Sequence, residues 1–474
     1  MKSVLPCLIW LLVPPCWFAN LPAQENQPNI LLILADDMGY GDLGCMGSKK
    51  LRTPMIDGLR MSGVLCSQAY VCSPVCSPSR AGLITGRDPR RFGYEGNLNA
   101  AAANYATRPE LLGLPPGEHT LGDHLKAAGY RTSLVGKWHL GTEEGFHPNQ
   151  RGFDYFCGML VGSHTYFPKP GKHGIERNRQ PVEKFSSPYL TDFFTDEAVS
   201  LIETYEKEDD QPWFLYLSYN APHGPMQATE EDLKQFAHIE DPRRRTYAAM
   251  MLALDRGVGR ILDTLKKNGE TSDTLICFFS DNGGATNNAS WNGPLSGSKG
   301  NLREGGIRVP MIWSCPGRLP AASRCDAIVS SLDLLPTFLA AAKANPLPLS
   351  PARSHEDKRN RKRYISRFGE YDGLNLLQML EGKTGGPQRT LFFRLQGQKA
   401  VLRDGDKLIS LSHRLPQLFS PATDTGEKND RLPSDKQQAE ELFRLLGEWE
   451  SMLPTVPLWG SSPFWSGQSA KGYG

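Results

Sequence analysis

The sequence predicts an α/β protein with a large mixed, mostly parallel sheet and a small α+β subdomain at its C-terminal end. Four apolar runs of strand length lie in "NILLILADDMG", "RTSLVGKWHLG", "WFLYLSYNAPHGP" and "TLICFFSDNGG". Such near-continuous runs suit strands buried on both faces, as in a parallel sheet covered by helices. Helical patterns alternate with them, which is the mark of an α/β layer structure. Each run also ends in a turn loaded with polar residues. Open α/β sheets bind ligands beyond the carboxyl ends of their strands, so the fold and the site are expected at the same place.

At the N-terminus, Lys2 precedes "VLPCLIWLLVPPCWFA" and "NLPAQ". That pattern reads as an export signal over residues 1–23, with Ala23 at the cleavage point and an apolar core too short to cross a bilayer. The alternative is an uncleaved membrane anchor. Export implies a periplasmic or secreted protein, lysosomal or extracellular in a eukaryotic host. No stable membrane association is expected after cleavage. The main domain is expected over 24–345. Within it, Thr53-Pro54 opens a helix, Thr120 caps "LGDHLKAAG" up to Gly129, and Asp241-Pro242 opens the longest helix. The last places Tyr247, Met251, Leu254, Val258, Ile261 and Leu265 on one stripe.

Residues 346–373 are proline-rich and then basic, through Lys358, Arg359, Arg361, Lys362 and Arg363. They read as a linker or solvated loop. The subdomain of 374–474 follows, with strands in "TLFFRLQ" and "KAVLRDGDKLISLS" and a Gly-Asp turn. Its terminal helix has Ala439, Leu442, Leu446, Trp449 and Leu453 on one face.

Composition narrows the function. The 474 residues carry a formal charge of only +2, so no global field points to nucleic acid or to a membrane surface. Ten cysteines are present, and removal of Cys7 and Cys16 with the signal leaves Cys45, Cys66, Cys72, Cys76, Cys157, Cys277, Cys315 and Cys325. An even number suits a disulfide framework, with the pairing open.

The strand ends hold the chemistry. Asp36-Asp37 and Asp281-Asn282 offer hard oxygen donors, which suit Ca²⁺ or Mg²⁺ and not zinc. An isolated Asp-Asp pair is ordinarily a turn or cap, but these pairs come with basic neighbours. Lys137 and His139 follow the second run, His223 follows the third, and Lys299 lies in "GSKGNLREGGIRVP". Fixed cations of this kind stabilise charge developing on an anionic group.

Between the first two runs, "VCSPVCSPSRAGLITGR" repeats Cys-Ser-Pro at Cys72 and Cys76. The stretch Cys76-Ser-Pro-Ser-Arg80, continuing to Thr85-Gly86-Arg87, resembles the signature of the type I sulfatases. The chain is closest in pattern to the arylsulfatase A and N-acetylgalactosamine-6-sulfatase branch. In that family the signature cysteine, with proline at plus two and arginine at plus four, is oxidised to formylglycine. Cys76 has Pro78 and Arg80, whereas the plus-four residue of Cys72 is Cys76 itself, so Cys76 is the candidate.

The resemblance implies an alkaline-phosphatase-like three-layer sandwich that hydrolyses sulfate monoesters, of a sulfated carbohydrate or an aryl sulfate. A formylglycine-generating maturation enzyme is its implied partner. It further implies one Ca²⁺ held by Asp36, Asp37, residue 76, Asp281 and Asn282, with Arg80, Lys137, His139, His223 and Lys299 around the sulfate. In those roles Asp281 positions the attacking hydroxyl of the formylglycine hydrate, and Arg80 and Lys137 hold that group. Lys299 and His223 meet the sulfate and the leaving oxygen, and His139 takes the proton that releases sulfate. A phosphatase or phosphonate monoester hydrolase of the same superfamily, or a non-catalytic binder of sulfated glycans, are the alternatives. Of the weaker signals, "GSHTYF" with His164 and Tyr166 suits a substrate rim or a packed loop, and Asn288-Ala-Ser290 is a formal glycosylation sequon.

Overall fold

In the main sheet, β1 (Asn29–Ala35), β2 (Gly63–Tyr70), β3 (Arg131–Lys137), β4 (Tyr155–Met159), β5 (Glu176–Arg177), β6 (Gln180–Pro181), β7 (Trp213–Ser218), β8 (Thr274–Ser280), β9 (Arg308–Ser314) and β10 (Ser323–Ser330) run in the order β10-β2-β9-β8-β1-β7-β3-β4-β5-β6. The computed structural model describes residues 27–98, 112–169, 174–208, 210–348, 358–412 and 414–454. The signal segment and Ala23 lie outside the described residues.

The four apolar runs form β1, β3, β7 and β8, and these are neighbours. β1 pairs in parallel with β7 and β8, and β3 pairs in parallel with β7. Register aligns Ala35 with Ser280 and both Leu34 and Gly136 with Ser218. Asp36, Lys137, Tyr219 and Asp281 therefore leave the sheet along one edge.

The continuous hydrophobicity has a direct cause. Ile30, Leu32 and Leu34 enter one core with Leu83, Leu121, Leu334 and Phe338, while Leu31 and Ile33 enter the opposite core with Ile56, Phe193, Tyr247 and Leu254. Helices Cys76–Thr85, Leu121–Ala127 and Leu334–Ala341 cover the first face; Pro54–Met61, Leu190–Glu208 and Pro242–Asn268 cover the second. Both faces are covered, as three layers require.

The helix starts follow local chemistry. Thr120 forms a capping box with Asp123, and Asp241 accepts from the Arg243 N–H; each such cap is worth about 1 kcal/mol. All six stripe residues of the long helix are buried. Thr53 precedes Pro54 as expected, but its hydroxyl reaches Asp57 and the Gly44 N–H instead of capping the helix.

In the C-terminal region β11 (Thr390–Leu395), β12 (Gln398–Arg403), β13 (Asp406–Leu411) and β14 (Gln417–Phe419) make an antiparallel sheet. One face, through Leu391, Phe393, Leu402 and Ile409, continues the first core of the main sheet. The other lies under helix Lys436–Glu450, where Phe392 stacks on Trp449 at 5.1 Å. Three expectations shift. The hairpin turns at Asp404-Gly405, both at positive φ, one residue before the Gly-Asp pair. Leu453 is buried but lies past the helix end. Lys358–Phe368 is a helix and not a loop, anchored by buried Tyr364, which donates to Asp372 at 2.9 Å beneath the Arg91 guanidinium. All eight cysteines among the described residues are free thiols.

Candidate active site

The expected residues converge beyond the carboxyl ends of β1, β3, β7 and β8. Cys76 is the first residue of helix Cys76–Thr85 and is buried. Its Sγ lies 3.0 Å from Lys299 Nζ, 3.6 Å from Asp36 Oδ1 and 3.8 Å from Asp37 Oδ1. Burial alone would raise the thiol pKa, but Lys137 and Lys299 bring it below the ordinary value. Cys72 is outside this cluster. Its Sγ faces the carbonyls of Pro78 and Ser79, and burial pushes its pKa up to about 12. The two halves of the repeat thus have separate fates: one packs beneath the helix and the other heads it.

Helical spacing of four places Arg80 one turn below Cys76. Its guanidinium binds Asp281 Oδ2 at 2.9 and 2.8 Å, the Lys137 carbonyl at 3.2 Å and Ser218 Oγ at 2.6 Å. Lys137 Nζ is 2.5 Å from Asp36 Oδ2, and Lys299 Nζ is 2.5 and 2.7 Å from the Asp37 oxygens. Three buried carboxylates thus face three buried cations.

The cations set the carboxylates apart. Burial opposes ionisation of Asp37, but Lys299 and His223 hold it well below the usual carboxylate range. Asp281 is pushed up to about 6 by burial and by neighbouring Asp36, despite Arg80 and Lys137.

The two histidines differ. His223 Nε2 is 3.6 Å from Asp37 Oδ2, and its Nδ1 meets the Gly224 carbonyl at 2.6 Å. Burial would lower its pKa, but Asp36 and Asp37 raise it overall. His139, at positive φ, has a buried Nδ1 without a hydrogen-bond partner among the described residues. Burial, then Lys137 and Arg80, hold its pKa well below the ordinary value, so it is neutral near pH 7.

Hard-cation binding is consistent with the donor set. Asn282 gives its Nδ2 to Asp37 Oδ1 at 2.7 Å, and its own Oδ1 is buried with no partner among the described residues. Oxygens of Asp36, Asp37 and Asp281 complete an anionic cradle. Atoms of Asp36, Asp37, Cys76 and His223 lie within 4.8 Å of one another, which brings His223 nearer the metal-binding group than the sequence implied.

Several neighbours left no mark in the motifs. Ser218 holds Arg80, buried Asn220 has an unpartnered Oδ1, and Asn288 donates to the carbonyls of Asp37 and Pro222 at 3.2 Å each. A polar residue at or just past the end of a buried strand is the only sequence signal the first two carry. Asn288 is buried and its Oδ1 accepts from Ser290, so its side chain is a structural brace and not an exposed glycan acceptor. In "GSHTYF", Tyr166 is buried and donates to the carbonyls of Asn220 and His223, whereas His164 turns to the Thr165 carbonyl.

The sulfatase family profile matches residues 28–344. N-acetylgalactosamine-6-sulfatase of Mus musculus is 37% identical over 338 residues, covering 68% of this chain and 64% of that protein. The match therefore spans slightly under two thirds of that relative's length. Human arylsulfatase A is 34% identical over 397 residues, covering 78% and 71%. Among solved structures, Ps i-CgsB in complex with k-i-k-neocarrahexaose superposes with a TM-score of 0.82 at 34% identity, over 94% of this chain and 98% of that one. The alkaline-phosphatase-like architecture expected from the sequence is the observed one.

Proposed function

The chain belongs to the sulfatase family, and from that premise we propose that it is an exported sulfuric ester hydrolase acting on a sulfated carbohydrate. The observation that carries this reading is Cys76 at a helix N-terminus, 3.0 Å from Lys299 and within 4 Å of Asp36 and Asp37. Oxidation of Cys76 to formylglycine by a maturation enzyme would supply an aldehyde hydrate as nucleophile. Asp36, Asp37, Asp281 and Oδ1 of Asn282, with residue 76, would hold a Ca²⁺, whose chemistry there is to polarise a sulfate oxygen and acidify a hydroxyl.

The chain's own groups do the rest. Arg80 locks Asp281 and, with Lys137, neutralises the carboxylates beneath residue 76. Lys299 anchors the sulfate oxygens, where charge is to be stabilised in a water-poor pocket. It is buried deeply against Asp37, whereas His223 is partly exposed at the mouth. His223 is therefore the better placed to protonate the departing sugar oxygen, since the leaving group exits on that side. His139, neutral and with Nδ1 unpartnered, accepts the proton whose loss precedes sulfate release. In this reading the catalytic domain covers 24–345 and the signal covers 1–23.

The test has two parts. The mass of the proteolytic peptide containing residue 76, from protein made in its native host, should show thiol replaced by aldehyde. That protein should hydrolyse 4-nitrophenyl sulfate faster than 4-nitrophenyl phosphate. An unmodified thiol in active protein overturns the mechanism, and a preference for phosphate overturns the substrate class.

A further inference from the structure

We propose that Trp291 is a stacking platform for the sugar ring adjoining the sulfated one, so that the site takes an oligosaccharide. This rests on the sulfatase reading above and extends it to residues beyond the sulfate pocket.

Trp291 lies on the loop joining two site residues, Asn282 and Lys299, and its side chain is 48% exposed. Exposed single apolar residues are common on any surface, so exposure alone decides nothing. The mounting decides. The Trp291 N–H donates to Asp42 Oδ2 at 2.8 Å, and its carbonyl accepts from the Gly41 N–H at 3.0 Å. Asn292 next to it is bonded to both backbone groups of Gly284 at 2.9 Å. The residue is therefore fixed from both sides.

The indole itself rests on glycine. A Cβ added to Gly41 would come within 2.6 Å of a ring carbon, and one added to Gly293 within 2.5 Å. Only residues without side chains let the ring lie this close to the backbone at these two positions, and nearly half of the residue stays open to solvent. An aromatic held in one rotamer loses little conformational entropy when a ligand stacks on it.

Its distance from the chemistry is also bounded. Asn288, three residues earlier, bonds to the carbonyls of Asp37 and Pro222, beside His223. Three residues of chain reach at most about 10 Å from Asn288, which keeps Trp291 within a few sugar units of the pocket. Phe167 is another exposed ring near this turn, through Tyr166 and the carbonyls of Asn220 and His223, but it is engaged with Tyr189 at 5.3 Å. Trp291 is the freer platform. A pyranose offers a face of C–H bonds to the electron-rich face of indole while its hydroxyls stay hydrated. The solved relative bound to a neocarrahexaose shows an oligosaccharide on a related fold.

The test uses full-length Cys76→Ala protein, which cannot turn over, and measures binding of k-i-k-neocarrahexaose by calorimetry. Trp291→Ala in that background should raise Kd about tenfold. Trp291→Phe should stay within about threefold, and Trp291→Leu, which keeps apolar area without a π face, should fall with the alanine variant. Equal affinity in the alanine variant overturns the platform, as does absence of binding to the Trp291 protein at about 1 mM. Turnover of 4-nitrophenyl sulfate by matured Cys76 protein judges the sulfatase reading separately. Failure there with intact Trp291-dependent binding removes the reaction and leaves the platform.

Discussion

The two ends of the central sheet bury carboxylates in opposite ways. At the carboxyl end, Asp36, Asp37 and Asp281 each have a cationic partner within 3 Å: Lys137, Lys299 and Arg80. At the amino end, β1, β7 and β8 open on a cavity of about 840 Å³ lined by Glu206, Glu270, Asp273 and Trp213. There Glu270 Oε1 accepts from neutral donors, Asn29 Nδ2 at 3.2 Å and Trp213 Nε1 at 3.3 Å, and the carboxyl's other close neighbour is a second acid, Glu206. Burial, and with it Glu206, pushes the Glu270 carboxyl up to about 7. Open volume alone is thus the chemically weaker feature. What makes a site for an anion is a set of cations fixed against buried carboxylates, and Glu270 has neutral donors in their place.

The largest break in this contrast comes from removing those cations. Lys299→Ala should lower kcat/KM for 4-nitrophenyl sulfate by about 10³-fold, the scale of one transition-state donor. Lys137→Ala should cost as much in rate and should also lower Tm, because Asp36 then stays buried without its closest cation. Steady-state kinetics and calorimetry on both variants decide it. A loss below about tenfold for either would make the cations scaffolding and dissolve the distinction between the ends.

A second effect sharpens it, since the carboxyl-end cations are held by different devices. Lys137 is the last residue of a central strand, but Lys299 is on a loop clamped by the small sheet. Gln398 donates to the Gly300 carbonyl at 2.9 Å and accepts from the Leu302 N–H at 3.3 Å. Buried Lys407 binds Glu304 at 2.7 Å and Glu427 at 2.6 Å, and Glu427 accepts from Ser296 and the Glu304 N–H. Lys407→Met should destabilise by about 3–5 kcal/mol by taking the cation from buried Glu427, while Glu304 keeps Arg308 at 3.2 Å and the Tyr70 hydroxyl at 2.8 Å. The remaining folded enzyme should lose about tenfold in kcat as Lys299 loosens. Gln398→Ala should cost about 1–3 kcal/mol and a smaller share of kcat. A fall in Tm with unchanged kcat in both variants would show that the loop positions Lys299 unaided.

That clamp marks where sequence reading ends. The four site-bearing strands were legible because burial on both faces leaves uninterrupted apolar runs, and their polar ends named Asp36, Lys137, His223 and Asp281. The signature separated Cys76 from Cys72 by what stood four residues on. Nothing local marks Gln398 or Lys407, whose partners on the Lys299 loop, Gly300 and Glu304, lie about 100 residues away. Ser218 and Asn220 looked like ordinary strand-end polar residues. The basic stretch at Lys358 reads as solvated by charge, and only buried Tyr364 on its far side shows why it is a helix.

The smallest effect tests the amino end alone. The Glu270 pKa rises from 4.5 to about 7 on folding, so between those pH values the folded chain binds more protons than the unfolded one. Stability then falls as pH rises through this window, and the cost is fully present above about pH 7. Glu270→Gln keeps an acceptor for Asn29 and Trp213 and gives Glu206 a donor, without the buried charge. At pH 8 the variant should melt about 1–2 °C above the parent, and near pH 4.5, where the carboxyl is protonated, the gap should close. Turnover of 4-nitrophenyl sulfate should not change, because the carboxyl end of the sheet is untouched. A gap that instead widened toward acid pH would mean that Glu270 is stabilised as a carboxylate, and the amino end would then share the device that makes the other end a site.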